Sequence, residues 1–291
     1  MACFKIIAWN CGGLRDSAVS KNKALFLEKG YKTDFDVAFF IETHHKSIND
    51  LPPEILRYEN THHIVHSPAK NETHAGIIGL IGNAYEILHQ EELIPGRMLN
   101  VKIQCKNDKS IKNITAVYFE TNNNLNKVKL ENIVAKLRQE NHAHQNNIII
   151  GDFNFIDNEK DKINGLNQKD RSLCDIWIPF LAEVDLVDPF REHNPNRKIW
   201  SFIGTGKAKN SRIDRVYVNT GSRNNITNFE YTRTPFQGHK ILTFQIKSPN
   251  EKGRGYYKMN TSVLSDPMYR GIVEETLVEI EQQQITDEIK K

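Results

Sequence analysis

Ile148-Ile149-Ile150-Gly151-Asp152-Phe153-Asn154 is the stretch on which the reading of this chain turns. An apolar run of strand length ends in a glycine, and a carboxylate and an amide follow at alternate positions. Alternate residues of an extended segment share a face, so Asp152 and Asn154 are expected to project together from the end of a buried strand. Ligand and catalytic groups commonly gather where strands of α/β layers end. The pattern recurs. Phe4–Trp9 ends in Asn10, Val37–Ile41 ends in Glu42, and Arg212–Val218 carries Asp214. Four apolar segments each deliver an acid or an amide, as a single shared polar site would require.

The 291 residues suffice for one substantial core with an appendage. Apolar content of 38% and charged content of 26% fit a globular chain in water, and no apolar run approaches the ~20 residues that span a bilayer. The start, Met1-Ala2-Cys3-Phe4-Lys5, enters a strand pattern directly and lacks the charged-then-apolar layout of a secretory leader. Cys3, Cys11, Cys105 and Cys174 form no Cys-x-x-Cys pair, so free thiols in a reducing compartment are expected. The net charge of +3 says little about partners. Locally, Arg197, Lys198, Lys207, Lys209, Arg212 and Arg215 face one acid, Asp214. Such a stretch suits a phosphate-bearing ligand, or is simply a solvated loop.

Strand patterns fall near 3–9, 35–41, 62–66, 75–82, 98–104, 112–119, 146–151, 198–203, 211–218 and 240–247, and helical ones near 20–29, 128–140 and 170–183. Leu130, Ile133, Val134 and Leu137 give the clearest helical spacing. Many strands, few helices and polar connections predict an α/β fold in which two sheets pack face to face with helices outside. Beyond about residue 250 the character changes. Gly253–Lys258 is basic and glycine-rich, and after Pro267 the residues Ile272, Val273, Thr276, Leu277 and Ile280 form one stripe. We therefore expect one domain over 1–250, then a linker and amphipathic helix over 251–291. That helix would begin a downstream region, bind a partner, or pack on the surface.

Ala8-Trp9-Asn10, Ile41-Glu42-Thr43, Tyr118, Gly151–Asn154, Ser211–Arg215 and Gly238-His239 together resemble the ordered motifs of the endonuclease/exonuclease/phosphatase (DNase I-like) superfamily. Gly-Asp-x-Asn alone would be weak, but six motifs in order are specific. Ala8–Leu14 and Ser211–Val218 look most like endonuclease domains of non-LTR (LINE-type) retrotransposons, and Gly255–Asn260 is similar to the linker that follows them. The resemblance implies a four-layered α/β sandwich with two mostly antiparallel sheets. It also implies an endonuclease dependent on Mg²⁺, with Mn²⁺ as a substitute, that nicks double-stranded DNA. The 3′-hydroxyl left behind would prime a reverse transcriptase encoded downstream, with action in the nucleus and no membrane partner.

By the same resemblance Glu42, with Asn10, holds the ion, and Asp152 orients or deprotonates the attacking water. Asn10 and Asn154 donate to water or phosphate, Tyr118 contacts the phosphate or leaving group, and His239 bonds the scissile phosphate while Asp214 holds its other nitrogen. Ser201, Ser211 and Arg212 are expected on the DNA. One position departs from the family, which carries an acid just before the last His where this chain has Gly238. Weakened metal binding is expected, with Gly238→Asp raising nicking at limiting Mg²⁺; a decayed DNA-binding copy is the competing view. An abasic-site repair nuclease or a phosphoesterase of the same fold is the other alternative. His62, His63, His66 and His74 lack the Cys or acid that would complete a zinc set, His142 and His144 suit a helix end, and His44 and His45, just after Glu42, would approach substrate or, more simply, form a solvated loop.

Overall fold

The computed structural model describes residues 3–15, 17–31, 34–69, 74–121, 124–141, 146–204, 210–236, 238–247, 271, 274 and 275. Two compact units divide the chain, Met1–Glu251 and Lys252–Lys291. The linker and amphipathic helix expected over 251–291 lie almost wholly outside the described residues, as do Lys207 and Lys209.

Twelve strands of the first unit form two six-stranded sheets. In chain order these are β1 (Cys3–Asn10), β2 (Val37–Ile41), β3 (His62–Ser67), β4 (Ile77–Gly82), β5 (Tyr85–Ile94), β6 (Met98–Cys105), β7 (Ile111–Tyr118), β8 (Asn147–Asp152), β9 (Leu186–Val187), β10 (Asp214–Asn219), β11 (Ile226–Thr232) and β12 (Ile241–Lys247). One sheet runs β11-β12-β1-β2-β4-β3, the other β5-β6-β7-β8-β10-β9. Each has one parallel pair, β1 with β2 and β7 with β8, and is otherwise antiparallel.

Between the sheets lie Phe4, Ile6, Phe39, Ile41, Val101, Ile114, Ile148, Ile150 and Val216. Their alternates, Ile7, Trp9, Ala38 and Phe40, turn outward onto α1 (Ala18–Tyr31) and α2 (Pro53–Leu56). Val117, Ile149, Phe153 and Tyr217 turn the other way, onto α3 (Lys127–Asn141) and α4 (Gln168–Glu183). A fifth helix, α5 (Pro189–His193), is short. A strand buried on both faces reads as a continuous apolar run, which is why β2 and β8 show no polar alternation. The result is the four-layered α/β sandwich.

The parallel pairs set the position of everything that follows. β1, β2, β7 and β8 end at Asn10, Ile41, Tyr118 and Asp152, and antiparallel β10 begins at Asp214 opposite Asp152. Two features differ from expectation. Residues 198–203 form no strand; Phe202 makes single bridges to Ser211 and His239 and so ties two segments together. β5, β9 and β11 were not foreseen, since β5 exposes residues on both faces and β9 has only two.

Candidate active site

At the carboxyl end of β8, Gly151 has φ +147, and a Cβ there would lie 2.0 Å from the Val117 carbonyl oxygen. Glycine is what permits β8 to press against β7 and deliver Asp152 beside Tyr118. The strand stops at Asp152. Asn154 does not share its face by alternation: it turns back with φ +53, its backbone N–H donating to Asp152 Oδ1 at 2.9 Å. Its side-chain amide donates to the Phe119 carbonyl at 2.9 Å. The two residues meet through a turn.

Asn10 bridges the sheets. Its Nδ2 donates to Glu42 Oε2 and to Asp152 Oδ2, each at 2.8 Å, while its oxygen accepts from Gly12 N–H at 3.1 Å. The amide thus spaces two carboxylates, with its nitrogen toward Glu42. Glu42 sits one residue beyond β2 with φ +59. Burial alone would raise its pKa, but hydrogen bonds from His44, Asn10 and Tyr118 outweigh this and hold it below the ordinary value. Burial, then the Glu42 and Asp152 charges, push the Tyr118 hydroxyl far up, so it stays protonated as a donor. The Arg97 guanidinium lies 4.8 Å from the centre of its ring.

His239 stands between two acids. Nδ1 is 3.0 Å from Asp214 Oδ2, and Nε2 is 3.9 Å from Asp152 Oδ2. Burial disfavours the imidazolium, yet the Asp214 carboxylate overcomes it and lifts the pKa to about 9. Asp152 moves well above the carboxylate range because burial and the Asp214 charge oppose ionisation more than His239 and Asn10 favour it. Asn10, Glu42, Tyr118, Asp152, Asp214 and His239 thus meet in one cluster, with Asn154 bracing Asp152.

The residues expected on DNA lie elsewhere. Arg212 is fully buried. It donates to Asp161 from Nε at 2.8 Å and from Nη2 at 2.7 Å, and also pairs with Asp188. Arg215, equally buried, bonds the Phe155 carbonyl at 2.8 Å and faces Asp157 at 3.5 Å. Two cations of the basic stretch are therefore core ion pairs, closed off from ligand by acids distant in sequence. Ser201 is buried too, and its Oγ accepts from the N–H groups of Ile213 and Asp214 at 3.0 and 2.9 Å. It positions Asp214 and is closed off from solvent. Ser211 is buried, its backbone bonded to Phe202.

Gly238 is hemmed in. A Cβ there would lie 2.5 Å from the Ile203 carbonyl oxygen and 2.9 Å from the Phe202 ring, whereas the Ile203 N–H donates to the Gly238 carbonyl at 2.8 Å. The place of the missing acid is filled by backbone, so Gly238→Asp cannot simply restore it. The loop carrying Glu42 held a further surprise. His44 is half-buried and partnered: its Nε2 lies 3.3 Å from Glu42 Oε1, and its ring centre 5.2 Å from that of His74. No sequence signal pairs these two histidines, since His74 arrives from another loop.

Residues 7–225 match the model of the Endonuclease/Exonuclease/phosphatase family, and the chain belongs to that family. A sequence relative is a transposon TX1 uncharacterized 149 kDa protein of Xenopus laevis, 24% identical over 209 residues. The match takes in 70% of this chain but only 16% of that protein. AP endonuclease LMAP of Leishmania major shares the fold at TM-score 0.69 and 15% identity, over 85% of this chain and 88% of its own. The endonuclease domain of TRAS1, a telomere-specific non-LTR retrotransposon, does so at 0.60 and 16%, over 84% and 99%. A Neisseria 3′ phosphatase, NExo, bound to a product DNA hairpin, does so at 0.63 and 16%, over 84% and 100%. The class is one of hydrolytic nucleases and phosphatases.

Proposed function

We propose that this chain is a divalent-metal-dependent DNA endonuclease that nicks one strand and leaves a 3′-hydroxyl able to prime reverse transcription. The observation that carries it is the buried Asp152, 2.8 Å from Asn10 and 3.9 Å from His239, with Glu42 held on the other side of Asn10. A buried carboxyl with a raised pKa is suited to take a proton from water near neutrality. Glu42 stays ionised and only half-buried, so it fits a hard cation, Mg²⁺ by family resemblance with Mn²⁺ as a substitute. The ion, when bound, neutralises charge on a phosphate's non-bridging oxygens.

Imidazolium His239, fixed by Asp214, would donate to the scissile phosphate, and protonated Tyr118 to the phosphate or the leaving oxygen. Donors preorganised in this way contribute about 3–4 kcal/mol each. Similarity to the Xenopus transposon protein and to the TRAS1 endonuclease domain supports a retrotransposon role, with reverse transcriptase as the downstream partner and nuclear DNA as the target. Relaxation of supercoiled plasmid tests the proposal. It should require metal, stop with EDTA, and vanish in Glu42→Ala and Asp152→Ala. Cutting confined to abasic plasmid would move the chain to a repair role, and binding without cutting would end the nuclease reading.

A further inference from the structure

Glu42-Thr43-His44-His45 forms a locked loop. Glu42 and His44 both take left-handed backbone, φ 59 and φ 60, which non-glycine residues seldom adopt. Residues 42 and 44 thereby turn to one side while Thr43 and His45, fully buried and 2.6 Å apart, turn to the other. Four backbone bonds hold this shape: Gly13 N–H to the Glu42 carbonyl at 2.7 Å, Leu14 to Thr43 at 2.8 Å, Thr43 to Gly76 at 3.0 Å and His44 to Ala75 at 2.7 Å. Lys23, buried behind them, donates to the Gly13 carbonyl at 2.8 Å. Gly13 leaves the room into which His44 fits, for a Cβ there would lie 3.1 Å from its Nδ1. Strain kept by this much support is a reason to look for function.

The side that carries Glu42 and His44 also receives His74. One ligand atom from each of the three lies within 4.8 Å of the other two. His74 is exposed, so no core packing fixes its rotamer. The acid that the resemblance expects before the last His is absent at Gly238, where a Cβ would meet the Ile203 carbonyl at 2.5 Å. What the site has in its stead is a pair of imidazoles. Imidazole nitrogen favours first-row transition ions, whereas Mg²⁺ prefers oxygen and water.

We propose that His44 and His74 join Glu42 in ligating the divalent ion, and that the chain thereby selects a first-row transition ion such as Mn²⁺ over Mg²⁺. The proposal rests on the nuclease reading only in placing a cation at Glu42.

The metal-stripped 291-residue chain, free of DNA, is titrated with Mn²⁺ and with Mg²⁺ in a calorimeter, and the Mn²⁺ form is examined by electron spin-echo envelope modulation. The wild type should bind Mn²⁺ more tightly and show modulation from directly bound ¹⁴N. His74→Ala, an exposed change, and His44→Asn, which tolerates left-handed backbone, should each weaken Mn²⁺ by about tenfold or more and leave Mg²⁺ within about twofold. Circular dichroism verifies that both variants are folded. Absence of nitrogen modulation in the wild type overturns the proposal, as does an equal loss for both ions in the variants, which would mean that the histidines only orient Glu42. Plasmid nicking separates the two readings. Nitrogen-bound Mn²⁺ without nicking upholds this site and fails the nuclease, whereas nicking with Mg²⁺ and no bound nitrogen keeps the nuclease and fails the site.

Discussion

Two walls of the candidate site use similar side chains in opposite surroundings. On one, Asp152, Asp214 and His239 are 1%, 3% and 8% exposed, and their side chains are held by hydrogen bonds from Asn10, from the Asn154 backbone and between His239 and Asp214. On the other, the side chains of Glu42 and His44 are 21% and 23% exposed, and His74 is open to solvent. On the first wall burial lifts the pKa of Asp152, the Asp214 carboxylate lifts that of His239 against burial, and close packing fixes their orientation, as proton handling requires. Exposure on the second leaves ligands that can exchange water for an ion. Composition alone would not separate them, because the difference lies in what surrounds each acid.

The largest test of that division is Asp152→Asn. It keeps the shape and removes the proton acceptor, so nicking should fall by about 10³-fold or more. A plasmid assay showing activity within tenfold of wild type would move the base to another residue. Next comes Arg212→Met, which takes the guanidinium from Asp188 and leaves the buried Asp161 with Arg191 alone of its two guanidinium partners. Urea denaturation should show a loss of about 3–5 kcal/mol, with DNA affinity of the folded protein unchanged. Weaker DNA binding at unaltered stability would instead return Arg212 to the ligand surface. Gly238→Asp should be smaller, costing about 1–3 kcal/mol through overpacking against Ile203. It should give no increase in nicking at limiting Mg²⁺; a rise would show that the backbone yields.

The subtlest test is pH. The folded pKa of His239 is raised to about 9, above the value near 6.5 of a free histidine. The His239–Asp214 pair thus contributes its full stabilisation below pH ~6.5 and loses it as pH climbs through about 9. Denaturation midpoints at pH 6 and pH 9.5 should differ more in wild type than in Asp214→Asn. Equal differences would dissociate the pair from stability.

The central strands were legible because burial writes itself into runs such as Val37–Ile41 and Ile148–Ile150, where both faces need apolar residues. Asn10, Glu42, Tyr118 and Asp152 were legible for the same reason, as the first polar groups where such runs stop or just after. β5 was hidden because Glu86, His89, Gln90, Glu91 and Glu92 give an edge strand no alternating signal. Arg212 and Arg215 misled, since a count of charges carries no direction: Asp157, Asp161 and Asp188, supplied by other loops, draw both inward. Trp200-Ser201-Phe202 looks like strand because aromatic residues flank its serine, yet it serves as a clasp between residues 211 and 239. His74 could not be tied to Glu42 by spacing, because two separate loops bring them together.

The closed space beside Gly238 has an evolutionary consequence. Once the Ile203 carbonyl and the Phe202 ring occupy it, a single codon change at 238 meets a steric barrier before it can deliver any benefit. An acid at 238 therefore needs a concerted retreat of the 202–203 segment, so its gain demands at least one accompanying change there.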